Sequence, residues 1–391
     1  MANSLLTATA IARESLRVLH QKSNFIGAIN RSYDDSFAKT GAKIGDTLKI
    51  RRPNQYTVRT GRILNTQDTV ESTVSLTVAT QMGVDLNFTS AELTLSLDDF
   101  SERIIQPAMS VLAANIEGSV LASVYKKIYQ QVNNQGSPAT FAKILSTRKM
   151  LVDSLASPNL NMLLNTQDNV DIVNDNKALF NDQKEIARQY RDGSMGRAAG
   201  FDFWEHILMP AHTRGAGAGY LINGATQSGN QLIVDGGTGA INAGDVFTIA
   251  GVFRVHPETK VSTGQLQQFV VTSNYVGGAG TISISPSIAT SGPGQNVALA
   301  PADNAAITFA GTASTTSGIS LGFDKDAFAF ASADLIMPKG VDFASRQVLD
   351  GISMRIVRAY DINNDTMPCR LDVLFGSEVI RPELAVRVAS N

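Results

Sequence analysis

Arg51, Arg52, Arg59 and Arg62 put four guanidinium groups within twelve consecutive residues. Arginine donates in a planar fork that fits phosphate or carboxylate oxygens, so this spacing could hold either kind of anion. Tyr56 is the only aromatic between them, which gives little support for the stacking platform of a nucleic-acid groove. Other patterns imitate chemical motifs and fail on detail. Gly215-Ala-Gly-Ala-Gly is followed by Tyr220-Leu-Ile, not by Lys-Ser or Lys-Thr, so it is no phosphate-binding loop and reads as a flexible junction. Asp361-x-Asn363-x-Asp365, with Asp372 at the twelfth position, copies part of a calcium loop. Thr366 stands where such a loop turns on glycine, and strands flank it, so an Asx-rich hairpin turn is the reading. His206 and His212 are six apart near Trp204, a spacing unlike the usual metal pairs, and read as core or interface residues. Gly193-Ser-Met-Gly is too short for a nucleophile elbow. Cys369 lies in an apolar strand pattern and reads as a small buried hydrophobe. No carboxylate pair suggests an acid and a base. The expectation is a protein that is not an enzyme, with no catalytic, cofactor-binding or metal-ligating residue.

Elements that could position the arginines are visible on either side of them. Asp46-Thr-Leu-Lys-Ile-Arg-Arg-Pro and Tyr56-Thr-Val read as strands, and Ser72-Thr-Val-Ser-Leu-Thr-Val alternates with Val74, Leu76 and Val78 on one face. Joined by the polar tract Arg59 to Glu71, they predict a long projecting hairpin whose edges another subunit would have to cover. A long helix is predicted from Leu97 to Asn133, with Asp98 and Asp99 at its cap and first turn. Ile105, Met109, Leu112, Ile116, Val120, Val124 and Ile128 form its apolar stripe, and Pro107 should start or kink it. A helix of about 25–30 residues within that stretch would span roughly 40 Å at 1.5 Å per residue, a spine rather than the core of one small domain. Moderate helices follow at Ala139–Asp153 and Lys177–Gln189, and two strands, Ser353–Tyr360 and Pro368–Gly376, close the pattern around the Asp361 turn.

Composition changes between Thr213 and Ser317. Only seven charged residues fall there, with more than half of the 32 glycines in the chain. Short β-type runs at Gln231–Val234, Val246–Ala250, Gln268–Thr272 and Thr281–Ser285 are separated by glycine turns, which predicts a small antiparallel barrel or sandwich inserted into a host domain. Trp204, just before it, reads as a core or domain-junction anchor, and Gly196 and Gly200 as tight turns or close packing.

The chain has 391 residues and a formal charge of −2, which excludes a globally basic DNA-coating protein. One cysteine excludes an internal disulfide framework. No run of about 18 apolar residues predicts a membrane span. Arg13, Glu14 and Arg17 interrupt the apolar N-terminal stretch, which reads as a helical arm, not a signal core, in a protein made in the cytosol. Residues 1–62 carry eleven basic against four acidic side chains, a surplus of 11 − 4 = +7, whereas residues 63–133 carry 3 − 8 = −5. Opposite surpluses could pair between copies of the chain; equally, both could be solvated surface.

Four segments carry a family resemblance: Glu102–Glu117 in the spine; Gly196-Arg-Ala-Ala-Gly-Phe-Asp-Phe-Trp-Glu with Met209-Pro-Ala-His-Thr before the insertion; Ala243-Gly-Asp-Val-Phe-Thr-Ile-Ala-Gly-Val inside it; and Glu378-Val-Ile-Arg-Pro-Glu-Leu-Ala-Val near the end. In this order they resemble the major capsid proteins of tailed bacteriophages, of HK-97-like fold, and more specifically the P-22-type coat protein with its insertion domain. The resemblance implies an α+β fold of N-arm, E-loop hairpin, spine helix, A and P domains, with an inserted antiparallel β-barrel. The corresponding segments are an N-terminal arm (1–45), the E-loop and adjoining strands (46–86), the P domain with the spine (87–135), the first part of the A domain (136–212), the insertion (213–317) and returning A and P strands (318–391). It implies hexamers and pentamers that build an icosahedral head around double-stranded DNA held by non-specific contact. Scaffolding and portal proteins are the further partners, no membrane is involved, and the virion forms in the host cytoplasm. Arg51, Arg52, Arg59 and Arg62 are then expected to meet Asp98, Asp99 or Glu102 of an adjacent subunit. The alternatives are an encapsulin-like nanocompartment shell, or a β-rich carbohydrate-binding or tail-associated phage protein.

Overall fold

Seven apolar side chains at three- and four-residue spacing, Ile105 to Ile128, are all buried in the computed structural model, and Met109, Leu112, Ile116, Val120 and Val124 among them lie on its longest described helix. The structure describes residues 8–22, 24–31, 46–64, 66–69, 71–88, 101–175, 196–341, 343–349, 352–362 and 367–391. In chain order, α1 (Ala8–Lys22) and α2 (Asn24–Ala28) precede β1 (Asp46–Arg51), β2 (Thr73–Val78) and β3 (Thr80–Phe88). A π-helical turn, Ser101–Ile105, leads into α3 (Gln106–Val124) and a 3₁₀ turn at Tyr125–Lys127. Next come β4 (Gln131–Asn134), α4 (Phe141–Val152), β5 (Leu160–Leu164), α5 (Thr166–Asp175), β6 (Arg197–Ala198), β7 (Phe201–Glu205) and β8 (Ala211–Thr213). The glycine-rich stretch holds β9 (Leu221–Ile222), β10 (Gly229–Asp235), β11 (Val246–Val255), β12 (Ser262–Val271), β13 (Gly280–Ile288) and β14 (Ile307–Phe309). The chain finishes with β15 (Thr316–Asp324), β16 (Phe328–Ala333), β17 (Phe343–Leu349), β18 (Ile352–Arg358), β19 (Met367–Val379) and β20 (Ala385–Ser390).

Two compact units share these elements. The first comprises residues 1–50, 73–120 and 328–380. Its sheet runs β16-β19-β18-β17, with β3 added antiparallel to β19 from Met367↔Phe88 to Phe375↔Thr80. β1 and β2 form a separate ladder, and Ile50, Leu76 and Val78 bury their alternating face with Ala329, Ala333 and Leu374. The face predicted from Val74, Leu76 and Val78 is thus the buried one.

The second unit comprises residues 51–72, 121–327 and 381–391. Its mixed sheet has the order β4-β20-β15-β5-β7-β6, with β8 also on β15. β4 runs parallel to β20 and β5 parallel to β7. Its core joins Ile144 and Leu151 of α4 and Ile172 of α5 to Leu160, Met162, Leu164, Phe201, Val386 and Val388. The insertion is a barrel of order β14-β11-β12-β13-β10-β9, which closes where Ile222 N–H donates to Ala305 O and Ile307 N–H to Tyr220 O, both at 3.0 Å. Closure leaves no long strand edge to template pairing. Phe247, Phe269, Ile249, Ile282 and Val234 fill the interior.

Several expectations change. The spine helix ends at Lys127, because Gln131–Asn134 is recruited as β4 by the ladder to β20, a long-range pairing that local periodicity does not encode. Its predicted beginning at Leu97 lies outside the described residues, and α3 starts one residue before Pro107, as proline at a first turn allows. By length and composition Arg103–Lys127 would be long and apolar enough to cross a membrane. Its stripe is spent on protein contacts instead. Tyr56–Val58 forms no strand. Lys177–Gln189 lies outside the described residues, whereas α5 precedes it unannounced. Trp204 is 46% exposed and so is no buried anchor. The predicted strands near Ser353 and Pro368 are β18 and β19, and Asn363 and Asp365 between them lie outside the described residues.

Candidate inter-subunit surface

Between β1 and β2 the described residues make a long loop with no ladder of their own, and side chains brace it. Gln67 Oε1 accepts from Thr57 N–H at 2.8 Å and Thr57 Oγ1 at 2.9 Å, while Gln67 Nε2 donates to Thr57 O at 2.6 Å. Nearer the base, Arg52 N–H donates to Ser72 O at 2.8 Å and the Tyr56 and Thr69 hydroxyls lie 3.4 Å apart. The braced loop displays Tyr56, Val58, Ile63 and Leu64 to solvent, with Val58 94% exposed. Isolated apolar side chains at a surface are ordinary; four on one loop with four arginines make a candidate contact surface that no described residue covers.

The arginines take different places. Arg51 pairs with Glu71 of the same hairpin at 3.3 Å, both exposed. Arg52 is half-buried, and its Nε is buried without a partner. Arg59 donates to Gly61 O and fixes the loop tip, and Arg62 is exposed. Asp98 and Asp99 lie outside the described residues, as does the side chain of Glu102. The monomer therefore gives Arg51 an acidic partner other than those expected, and the apolar members of the surface were the ones sequence reasoning missed. Ile63-Leu64, an apolar pair inside an otherwise polar tract, was the available signal.

A second polar constellation sits where the insertion joins its host sheet. His212 Nε2 lies 2.9 Å from Asp245 Oδ1, and its Nδ1 lies 3.4 Å from the Tyr125 hydroxyl. Asp245 Oδ2 also accepts from Gly215 N–H at 3.0 Å and Asn242 N–H at 2.9 Å. Arg387 of β20 is wholly buried and donates to Gly244 O; burial lowers its pKa to about 10, against the pull of Tyr125 and Asp245. Burial likewise raises the Tyr125 hydroxyl, which Arg387 opposes. Around this centre the Gln268 amide exchanges two bonds with Gln131, donating at 3.0 Å and accepting at 2.8 Å. Arg254 donates to Asp153 O at 3.1 Å and Ser154 Oγ at 2.9 Å. The Gly215–Gly219 junction is therefore tied down, not flexible: a Cβ at Gly215 would sit 2.4 Å from Ala240 O. Glycine is there for close approach.

The remaining chemical look-alikes are structural. His206 Nδ1 accepts from Leu208 N–H at 3.2 Å in a local turn. Asp372 is buried between Arg355, at 2.7 Å, and Arg370, at 3.1 Å. Cys369 is buried, and burial pushes its thiol up to about 12. Gly196 and Gly200 both have positive φ, 61° and 82°. Among the described residues no group of three or more His, Cys, Asp or Glu is placed to hold a metal ion. The arrangement suits anchoring and docking.

Against known proteins, the family model described as P22 coat protein, gene protein 5, matches residues 33–388. Among solved structures the chain is similar to one from Mycobacterium phage Che8, at 11% identity over 94% of this chain and 90% of that chain, with a TM-score of 0.49. It is similar to the capsid of Ralstonia phage GP4 at 6% identity, over 94% and 91% of the two chains, with a TM-score of 0.47. The CUS-3 coat protein I-domain is 30% identical over 23% of this chain and 92% of its own, with a TM-score of 0.19. No curated protein matches the chain.

Proposed function

Because this chain belongs to the P22 coat protein family and forms the shell of a phage head, we propose that its projecting hairpin is the contact by which one subunit grips the next. As a major capsid protein it is a structural component of the virion. The observation that carries the hairpin reading is the braced loop that exposes Tyr56, Val58, Ile63 and Leu64 together with Arg62. A loop held by Gln67 loses little further backbone freedom on docking, which favours association. Arg51, Arg52, Arg59 and Arg62 supply donors for carboxylates of a neighbouring copy, with Asp98, Asp99 and Glu102 as the proposed acceptors. The same proposal includes hexamers and pentamers as capsomers, and the division into arm (1–45), hairpin segment (46–86), spine segment (87–135), A-domain part (136–212), insertion (213–317) and returning strands (318–391). It also includes a scaffolding protein and a portal as partners, non-specific contact with packaged double-stranded DNA, and assembly in the host cytoplasm.

Charge reversal at the tip tests the grip. Arg59→Glu with Arg62→Glu should leave the melting temperature and circular dichroism of the monomer unchanged while closed shells disappear from negative-stain micrographs. Normal particles from the double variant would overturn the arginine pairing.

A further inference from the structure

The end of α4 departs from the ordinary in backbone and in surface together. Leu155 has a φ of 62°, in the left-handed region, and is the one described non-glycine residue there with a large apolar side chain. It closes the helix. Leu155 N–H donates to Val152 O at 2.9 Å and Ala156 N–H to Leu151 O at 3.0 Å, a pair of bonds whose left-handed position usually falls to glycine. A residue with a Cβ costs on the order of tenfold in the folding equilibrium at such a place. Burial of the leucine could offset that cost, but 46% of the residue is exposed. Backbone strain kept for a side chain that stands half in solvent points to a use outside the fold itself.

Leu155 has apolar company on the same helix. Ile144, Thr147 and Leu151 of α4 are buried, and Ile144 and Leu151 join the core of the mixed sheet, whereas Leu145 and Val152 stand about half-exposed. Steps of four and three residues put Leu145, Lys149 and Val152 on one exposed stripe, with Arg148 beside it. α4 carries Lys143, Arg148 and Lys149 and no acidic residue; Asp153, just past its end, meets Lys149 at 2.7 Å. α5 has the opposite character, with Asp168, Asp171 and Asp175 and no basic residue. Gln167, Val170, Asp171 and Asn174 share one of its faces, and Val170 is 60% exposed. Within one chain this face is far from Leu155. Asp171 Oδ2 accepts from Ala139 N–H at 3.2 Å and Asp175 Oδ2 from Phe141 N–H at 2.9 Å, which sets the acidic side of α5 beside the start of α4. Leu155 lies past the other end of that helix, whose 12 residues span roughly 18 Å.

We propose that the strained corner of α4 docks on the acidic face of α5 in an adjacent copy of the chain, a contact of the shell additional to the hairpin. Leu155 and Val152 cover Val170 of the next copy, while Arg148 and Lys149 face its Asp171 and Asp175. The occupant is another copy because the chain itself carries the complement of α4: an exposed apolar side chain with carboxylates around it, against exposed apolar side chains with cations around them. The charges favour encounter and fix the register, and the apolar members hold the contact once formed. Two different patches meeting make a heterologous contact, in which every copy gives one patch and receives the other; such contacts close into rings when the rotation between neighbours allows it. The left-handed turn has a part in this. Its two backbone bonds fix where the leucine is presented, so little backbone freedom is lost on docking. The inference rests on the chain forming a shell and is independent of the hairpin grip.

Leu155→Gly tests the contact, because it removes the side chain and the strain together. The full-length monomer of this variant should melt at or above the temperature of the unaltered chain, since relief of the left-handed strain offsets the freedom that glycine adds to the unfolded chain. The protein concentration at which closed particles appear, read by light scattering and negative stain, should nevertheless rise on the order of tenfold. Val170→Ser, a change at an exposed position, should raise that threshold similarly with the melt unchanged. Both changes remove the same contact, so the double variant should need no more protein than the weaker of the two single variants. A threshold in Leu155→Gly equal to that of the unaltered chain overturns the docking, and so do single effects that multiply in the double variant. Should Leu155→Gly fail to fold, an unchanged threshold in Val170→Ser overturns it alone.

Discussion

A carboxylate buried on the spine helix would oppose folding if it faced only side-chain carbon. Glu117 escapes this because its Oε1 accepts the N–H groups of Phe25 at 2.6 Å and Ile26 at 3.3 Å, donors in the first turn of α2. Phe25 then meets Phe328 edge-on, with ring centroids 5.7 Å apart, so one side chain fixes where the arm lies on its own unit. Glu117→Ala should cost about 1–3 kcal/mol, the range for a buried charge-assisted bond whose donors are left unmet. Urea melts would measure that loss, and limited trypsin digestion should cut earlier after Arg17 and Arg31 as the arm loosens. Glu117→Gln keeps an acceptor and should recover much of the protection. Nothing in the sequence singled Glu117 out, because its partners are backbone groups about ninety residues away.

Elements were legible where one periodicity decides them. The stripe from Ile105 to Ile128 and the alternation Val74-Leu76-Val78 each bury one face, and the structure buries those faces. Glycine turns between apolar runs were enough to mark β10, β11, β12 and β13. What stayed hidden depends on distant partners: β4 exists because β20 lies beside it, and β9 and β14 are short pieces that matter because they close the barrel. The root of the insertion was hidden for the same reason, since Tyr125, His212, Asp245 and Arg387 are spread over most of the chain. Their energetics can be separated by a double-mutant cycle. Asp245→Ala strands three donors and leaves the Arg387 charge uncompensated, at a cost of about 3–5 kcal/mol. Arg387→Met removes a buried charge with two unpartnered N–H groups, and by itself should be much milder. The double variant should therefore be more stable than the sum of the single losses; strict additivity in denaturant melts would show that the two charges do not interact.

At the scale of the molecule, a coat protein must stay folded alone and yet keep a surface that is complete only in the shell. The hairpin proposed as that surface would meet both demands, because its bracing bonds are internal to the loop while the side chains of Val58, Arg62, Ile63 and Leu64 are exposed. Two forces could seat such a loop, and salt tells them apart. Ion pairs at an exposed rim are screened within about 3 Å at 1 M salt, whereas burial of apolar surface is not weakened in that way. With four guanidinium groups beside four exposed apolar side chains, encounter should depend on charge and retention on apolar area. The triple variant Val58→Ser, Ile63→Ser, Leu64→Ser should accordingly leave the monomer melt unchanged and the early rise in light scattering nearly normal. Closed particles should then be lost on dilution. The charge-reversed tip should fail earlier, at encounter, with no early rise in scattering at low salt, because like charges then face each other, a repulsion that added salt relieves. If the triple variant yields shells that survive dilution as well as those of the unaltered chain, the apolar side chains of the hairpin are not what holds neighbouring subunits together.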